Sequence, residues 1–203
     1  MPQPLPELPK FSSKRLHAKL KALRQAYESK GFNVTDTLQP PLSAQALKAQ
    51  CNWFPAPLPE EIISLYAWRG GQIESGSEDD FSFAFGGYTF LTLEDAKLEY
   101  DSMMSTYGAE PSDAPLLRIC FPFAACNGGW LVMPCTGQSL EPRLERPIIF
   151  VMQGISIHYY CLELMVATAL DEVLHPQYDG YNGLPEKISM KIWDRHNPGI
   201  AAY

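Results

Sequence analysis

Histidine is the side chain best suited to acid–base chemistry at neutral pH, and His158 has the most suggestive surroundings of the four in this chain. It lies in a predicted strand, between Ile157 and Tyr159, which alternate with it. A strand histidine beside tyrosines is more often a hydrogen-bonded structural residue than a general base. We therefore favour a structural role for His158 and keep catalysis as the alternative.

The cysteines form neither a disulfide framework nor a zinc-finger pattern. There are five, an odd number, and none belongs to a C-x-x-C pair. They are Cys51, Cys120, Cys126, Cys135 and Cys161. The last four fall in predicted strands or at their ends, where they could converge on a metal ion, but cysteine so placed usually fills the core as a small hydrophobe. Their number and spacing fit a reducing cytoplasm.

Other fragments of catalytic motifs are incomplete. Glu172 and His175 have the Glu-x-x-His spacing of di-iron bundles, which need a second copy and further glutamates. Glycine pairs at 70–71, 86–87 and 128–129 lack the Lys-Ser/Thr that follows a phosphate-binding loop, so turns explain them better. No G-x-S-x-G pattern is completed either. The sequence therefore predicts no catalytic residue, no cofactor and no metal.

Charge is divided unevenly along the 203 residues, a length typical of one domain. Residues 1–50 hold eight basic against three acidic residues, a net charge of +5, and residues 51–203 hold eight against twenty, a net −12. The acidic body disfavours nucleic acid and anionic membranes as partners and favours a basic protein, although solubility alone also explains it. No run approaches the length of a membrane span, and the proline-rich start does not resemble a signal peptide.

Helices are predicted at the start of the chain, after an extended proline-rich segment at 1–12. Ser13 is predicted to cap a helix that Gly31 ends, with an apolar stripe every three to four residues. The stripe consists of Leu16, Leu20, Leu23 and Tyr27, and the outer face carries Lys14, Arg15, Lys19, Lys21 and Arg24. A solvated basic face is favoured over binding to nucleic acid or lipid. A short helix is expected over 43–51.

A third helix is predicted between the prolines and glycines of the stretch 54–72. Pro59 fits its first turn, Glu60 and Glu61 favour its positive end, and Gly70 and Gly71 are expected to end it.

The remaining chain alternates hairpins and helices. Phe81, Phe83, Phe85, Tyr88 and Phe90 flank Gly86-Gly87 as in a hairpin. Thr92 and Asp95 resemble a capping box. Strands are predicted at 116–125, 130–135, 148–152 and 155–160, and helices at 162–174 and 186–194. Hairpins imply antiparallel pairing, so the predicted class is α+β, with one mainly antiparallel sheet of about five to six strands and helices on one side.

Four segments in this order resemble the SUKH superfamily, which includes cell-wall assembly regulators and bacterial toxin-immunity proteins. They are the Leu-Pro-x-Glu helix that ends in Gly-Gly, the strand-to-helix run at 90–96, the Phe-Pro-Phe-Ala strand with its Asn-Gly-Gly-Trp turn, and the hairpin and helix from Ile148. The motif residues are Leu58, Pro59, Glu61, Gly70, Gly71, Gly128, Gly129 and Trp130. Within the single domain 1–203, the resemblance covers a core at 51–175, with extensions at 13–50 and 176–203. Members often have an acidic residue where Pro134-Cys135 stands here.

The resemblance implies a non-enzymatic protein-binding module, most nearly an immunity protein that neutralises a toxin, such as a nuclease, by direct binding. The alternatives are a regulatory scaffold that docks a client through its N-terminal helix, and an enzyme centred on His158. Acidic and aromatic loop residues are the candidate contacts, although acidity can also merely solvate a loop. They are Glu74, Glu78, Asp79, Asp80, Tyr178, Asp179 and Tyr181.

Overall fold

The structure of the chain is a computed structural model that describes residues 8, 10–73, 85–108, 114–136, 144–180 and 183–200. The α-helices in these ranges are α1 (Ser13–Ser29), α2 (Ala44–Gln50), α3 (Glu60–Trp68), α4 (Leu93–Tyr107), α5 (Ala114–Leu117), α6 (Leu162–Leu174) and α7 (Glu186–His196). A short 3-10 turn at Thr35–Thr37 joins α1 to α2. Within the described part of the chain, no helix is both long and apolar enough to cross a membrane.

Within the described ranges, five strands form one antiparallel sheet in which each strand pairs with its neighbour in sequence. The strands are β1 (Thr89–Phe90), β2 (Cys120–Cys126), β3 (Gly129–Pro134), β4 (Ile148–Val151) and β5 (Ile155–Tyr159). This meander follows from the short turns, since parallel strands require long crossovers. The predicted α+β class with a single antiparallel sheet is confirmed.

Two strands contain a β-bulge, and each bulge redirects an aromatic side chain. In β2, Pro122 and Ala124 pair with consecutive residues of β3, so Phe123 is the extra residue. In β5, Ile157 and Tyr159 pair with consecutive residues of β4, so His158 is the extra residue. A bulge bends the strand and changes the direction of a side chain, which explains how both rings reach the interior.

Both faces of the sheet are covered. Along β3, Leu131 and Met133 join the main core with α1, α3 and α6, whereas Trp130 and Val132 alternate with them into a second cluster. Met103 of α4 and Leu117 of α5 complete that second cluster. The prediction that helices lie on one side only was therefore wrong, because α4 passes to the opposite face, where β3 and β4 expose alternate apolar residues.

Helix α1 is an integral part of the main core. Leu16, Leu20 and Tyr27 are fully buried, in the same cluster as apolar residues of α6. A buried carboxylate, Glu163 in the first turn of α6, accepts hydrogen bonds from the Ser12 backbone N–H at 3.1 Å and from Arg15 Nε at 3.0 Å. The start of α1 is thus fastened to the start of α6.

The glycine pair after α3, Gly70-Gly71, allows two other segments of the chain to pass close to its backbone. The helix ends at Arg69, whose backbone is extended, so neither glycine is its left-handed cap. Gly71 has φ +107°, and a Cβ there would lie 2.5 Å from the Thr92 backbone. Gly70 N–H donates to Gln39 O at 3.2 Å, and Gly71 O accepts from Gln39 N–H at 2.8 Å. The pair is required because backbone lies on both sides of it, which corrects the prediction of a helix terminator.

Several predicted boundaries change. Ser12, one residue before the predicted cap, accepts from Arg15 N–H at the start of α1. Pro59 is the N-cap of α3 and precedes its first turn. Leu116 and Leu117 belong to α5, so β2 begins only at Cys120. The Gly86-Gly87 turn forms between Phe85 and Tyr88, and the predicted strand residues Phe81 and Phe83 lie outside the described residues.

Candidate partner-binding surface

A groove of about 680 Å³ lies beside the N-terminal half of α4. We call it the acidic groove. Its walls are the segment before residue 74, the strand β1, the first turns of α4 and the β2–β3 turn. It is lined by Gln72, Ile73, Thr89, Leu91, Asp95, Glu99, Ala125, Cys126, Asn127, Gly128 and Gly129.

Local sequence places α4 at this position. Thr92 is the N-cap, and its hydroxyl accepts from Asp95 N–H at 3.2 Å and donates to the Asp95 carboxylate at 2.6 Å. This confirms Thr92 as the predicted cap. The Asp95 carboxylate accepts from the Thr92 hydroxyl and not from its backbone N–H, so the start of α4 resembles a capping box without its second backbone bond, and one Asp95 oxygen is directed toward the helix start. Glu99 follows one turn later, so both carboxylates lie on the side of α4 that faces the groove.

The two carboxylates keep part of their hydrogen-bonding capacity free. One oxygen of Glu99 accepts from the indole N–H of Trp130, which is buried, and one oxygen of Asp95 is used by Thr92. Each second oxygen has no partner among the residues that the structure describes. No lysine or arginine is among the described residues that line the groove. The groove therefore attracts cations and N–H donors.

The adjoining outer face of α4 consists of residues spaced three or four apart, Glu94, Lys97, Leu98 and Asp101. Lys97 pairs with Asp101 at 2.8 Å, so Glu94 and Leu98 are the members of this face outside that ion pair. Leu98 is 61% exposed, the largest exposure among the large hydrophobic side chains of the described chain. Ile73, at the groove, is 46% exposed. An exposed leucine beside acidic residues is the composition of a protein-binding surface more than of a small-molecule pocket.

Only two of the seven predicted contact residues, Tyr178 and Asp179, lie in the described part of the chain. Glu74, Glu78, Asp79, Asp80 and Tyr181 lie outside the described residues.

Tyr178 and Asp179 are described. Tyr178 is buried against Tyr27 and Phe32 in edge-to-face contacts, and burial raises the pKa of its hydroxyl to about 12. The prediction that Tyr178 is an exposed contact residue was therefore wrong: its ring fills the space between α1 and the end of α6. Asp179 is exposed and stays a prediction.

His158 lies in an aromatic cluster beneath α7. Its ring contacts Trp193 at a centroid distance of 4.3 Å and Phe150 at 5.2 Å, and its Nε2 is 3.4 Å from the Tyr88 hydroxyl. Desolvation lowers the pKa of His158 to about 4. Its Nδ1 is buried, and in the part of the chain that the structure describes it has no hydrogen-bond partner and no carboxylate contacts the ring. The orienting group that an enzyme centred on His158 would require is not formed by the described residues.

The cysteine thiols are free, and burial raises the pKa of each. They are therefore protonated thiols at neutral pH and poor metal ligands as they stand. Across the described ranges, no group of three or more histidine, cysteine or acidic side chains is arranged to hold a metal ion.

The residues of the family motif occupy structural positions. Glu61 is buried and forms an ion pair with Arg146, which ties α3 to the segment before β4. Gly129 leaves room for the Phe150 ring, which a Cβ there would approach to 2.6 Å. Asp95 and Glu99 were not singled out from the sequence as contact residues. The spacing of four residues between two acids that follow a capping threonine is the signal that could have identified them.

Comparisons with known proteins identify no relative of this chain. The chain matches no protein-family model and no curated protein. The resemblance to the SUKH superfamily therefore rests on the four sequence segments and on their order.

Proposed function

We propose that this chain is a protein-binding module of the SUKH type that neutralises a basic partner, such as a nuclease toxin, by direct binding. The observation that carries the proposal is the continuity of the acidic groove with the outer face of α4. Together they offer partly free carboxylates, an exposed leucine and no described basic side chain along the groove. This combination suits a lysine- or arginine-bearing protein surface.

The partner would place a basic side chain in the groove near Asp95 and Glu99 and cover Leu98 with apolar surface. Burial of Leu98 would contribute about 2 kcal/mol. The carboxylates would increase the association rate more than the final affinity, because charge complementarity acts during encounter. Binding should consequently slow as salt concentration rises.

The test uses the product of the neighbouring gene as the candidate toxin. Growth of cells that express it is measured with and without this chain, and the affinity of the purified pair is measured by calorimetry. We expect protection and a one-to-one complex. A toxin that kills cells equally in the presence of this chain, or purified proteins that do not bind, would refute the proposal.

The surface is tested by the double variant Glu94→Lys, Leu98→Ser, which leaves the Thr92 cap and the Trp130 contact intact. We expect at least a tenfold loss of affinity. The matched control is Asp194→Lys, Leu174→Ser, because Asp194 is exposed and Leu174 is 57% exposed, both away from the groove. Equal losses in the two doubles would show that the contact lies elsewhere.

A regulatory scaffold is the second candidate, favoured by one feature of α1. Lys14 and Lys21, seven residues apart on one face, are exposed and have no ion pair among the described residues. Deletion of α1 cannot test this function, since α1 belongs to the core. Replacement of both lysines by glutamate leaves the core intact, and loss of client binding in that variant alone would favour the scaffold.

A further inference from the structure

The two edges of the sheet differ in how their outward backbone groups are used. At the β1 edge, Phe90 O accepts from Gln72 N–H at 2.7 Å, and Phe90 N–H donates to the Gln72 side chain at 3.2 Å. Tyr88 N–H donates to Phe85 O at 3.2 Å. The β1 edge is therefore closed by hydrogen bonds from its own chain.

The β5 edge is open over three residues. Met152 N–H donates to Gly154 O at 3.0 Å, the bond that flanks the Val151–Ile155 pair. In an antiparallel ladder, the residues of a pair flanked in this way direct their own N–H and C=O away from each other. Ile155 and Ile157, two residues apart, thus direct their backbone groups outward, and none of the described residues binds them.

The ends of the open stretch are defined. Beyond it, Tyr160 N–H donates to the side chain of Asn197, which is fully buried and also donates to Thr168 Oγ1 at 3.3 Å. Before it, the chain turns at Gly154. The open edge therefore extends only over Ile155–Ile157, and it carries no charge and no proline of the kind that protects natural edges.

We propose that β5 pairs antiparallel with the β5 strand of a second copy of this chain, about a two-fold axis at Ser156. In that register Ile155 of each copy lies opposite Ile157 of the other. The outward groups of the four isoleucines are then satisfied by about four backbone hydrogen bonds. The two sheets become one continuous sheet.

A second copy fits this edge better than a longer strand from another protein. A continuous strand that ran past Tyr160 would meet Asn197, which already occupies that backbone donor. The second copy does not meet it, because its own chain turns away at Gly154 at that point. Ile155 packs against the second core cluster, so pairing extends this apolar face across the interface.

The association is tested by sedimentation velocity of the full chain across the micromolar to millimolar range, where small interfaces associate. We expect a reversible dimer. Ile157→Pro removes an outward N–H and none of the bonds to β4, and should weaken dimerisation at least tenfold with the fold retained. Ile157→Val keeps the N–H and should dimerise like the wild type.

A second measurement does not depend on the proline variant. Ser156 faces its own copy across the proposed axis, at a separation that a disulfide can span. Ser156→Cys should form a covalent dimer on mild oxidation, whereas Ser105→Cys, on the exposed side of α4, should not exceed the wild type. A monomer at every concentration, a dimer unaffected by Ile157→Pro, or equal cross-linking of the two cysteine variants would overturn the proposal.

Discussion

The two edges of the sheet differ in whether their buried polar groups form hydrogen bonds. At the β1 boundary, formed by residues 70–73 and 90–92, the buried amide of Gln72 bonds to Phe90 N–H and to Thr37 Oγ1. At the β5 boundary, formed by residues 155–160 with Trp193 and Asn197, His158 Nδ1 and Trp193 Nε1 are buried and have no hydrogen-bond partner among the described residues. Gln72 and His158 are both buried, so burial alone does not distinguish these two polar groups.

The two boundaries differ in the interactions that hold them together. The β1 boundary is complete, so the adjoining groove can be open to a partner without weakening the sheet. The β5 boundary holds its position by aromatic packing, which requires a neutral histidine. We therefore expect the β1 boundary to be sensitive to changes of shape and the β5 boundary to be sensitive to pH.

The largest effect is expected from Gly71→Ala. The new Cβ would lie 2.5 Å from backbone atoms at φ +107°, so neither side can move without loss of hydrogen bonds. The free energy of unfolding should fall by about 4 kcal/mol, the sum of backbone strain and overpacking. Urea denaturation measures it. Gly31→Ala is the control, because φ there is +85° but no atom lies within 4 Å, and it should lose about 1 kcal/mol.

Acid should weaken the β5 boundary through His158. The pKa of His158 in the folded chain is about 4, below its ordinary value of 6.5. The stability that neutral His158 contributes is therefore present above pH 6.5 and is lost as pH falls toward 4, by about 3 kcal/mol in total. Urea denaturation at several pH values should show this loss in the wild type and a smaller one in His158→Phe. Identical pH slopes would contradict the assignment.

Gln72→Ala should lower the free energy of unfolding by less than Gly71→Ala does, through the loss of hydrogen bonds at the β1 boundary. The change leaves the buried Phe90 N–H without an acceptor and removes the donor to Thr37, at a cost of about 2 kcal/mol. Gln72→Glu keeps an acceptor and loses the donor, but it introduces a buried charge. Amide hydrogen exchange at Phe90 should accelerate in Gln72→Ala, and unchanged protection there would refute the pairing.

The smallest effect concerns Glu172, near α7. Desolvation raises the pKa of its carboxyl group, while a hydrogen bond from Ser189 lowers it. Its contribution to stability is therefore present below the ordinary pKa of 4.5 and is lost as pH rises through the raised pKa. Glu172→Gln should equal or exceed the wild type in stability at pH 7, by about 1 kcal/mol at most. A less stable variant at pH 7 would show that the charged form is favoured.

Local patterns in the sequence predicted the elements that depend on nearest neighbours. The apolar stripe of α1, the Thr92 cap of α4 and the Gly-containing turns of the sheet were all predicted, because each is specified within a few residues. The antiparallel sheet followed from the hairpins. The short helix α5 was not predicted, because a short apolar run such as Leu116-Leu117 is equally compatible with a helix and with the start of strand β2.

The candidate surface was less predictable. Tyr178 was expected in solvent because Gly, Asn and Pro surround it, but its ring is buried by α1, more than 140 residues earlier in the chain. The acidic groove arises where the β2–β3 turn, β1 and α4 meet, and no single segment contains that arrangement. The predicted role of the glycine pair as a helix end was also wrong, because it depended on a contact between distant segments. Gly71 allows the chain to pass close to the backbone of Thr92.

The bond between Ser12 and Glu163 spans 151 positions in the chain. During synthesis α1 emerges before α6, and α6, which shares a core cluster with the apolar stripe of α1, is complete only at residue 174. Until then Leu16, Leu20 and Tyr27 lack part of their cover and can bind other apolar surfaces. A nascent chain of this protein should therefore recruit chaperones through α1 and release them only when α6 has left the ribosome.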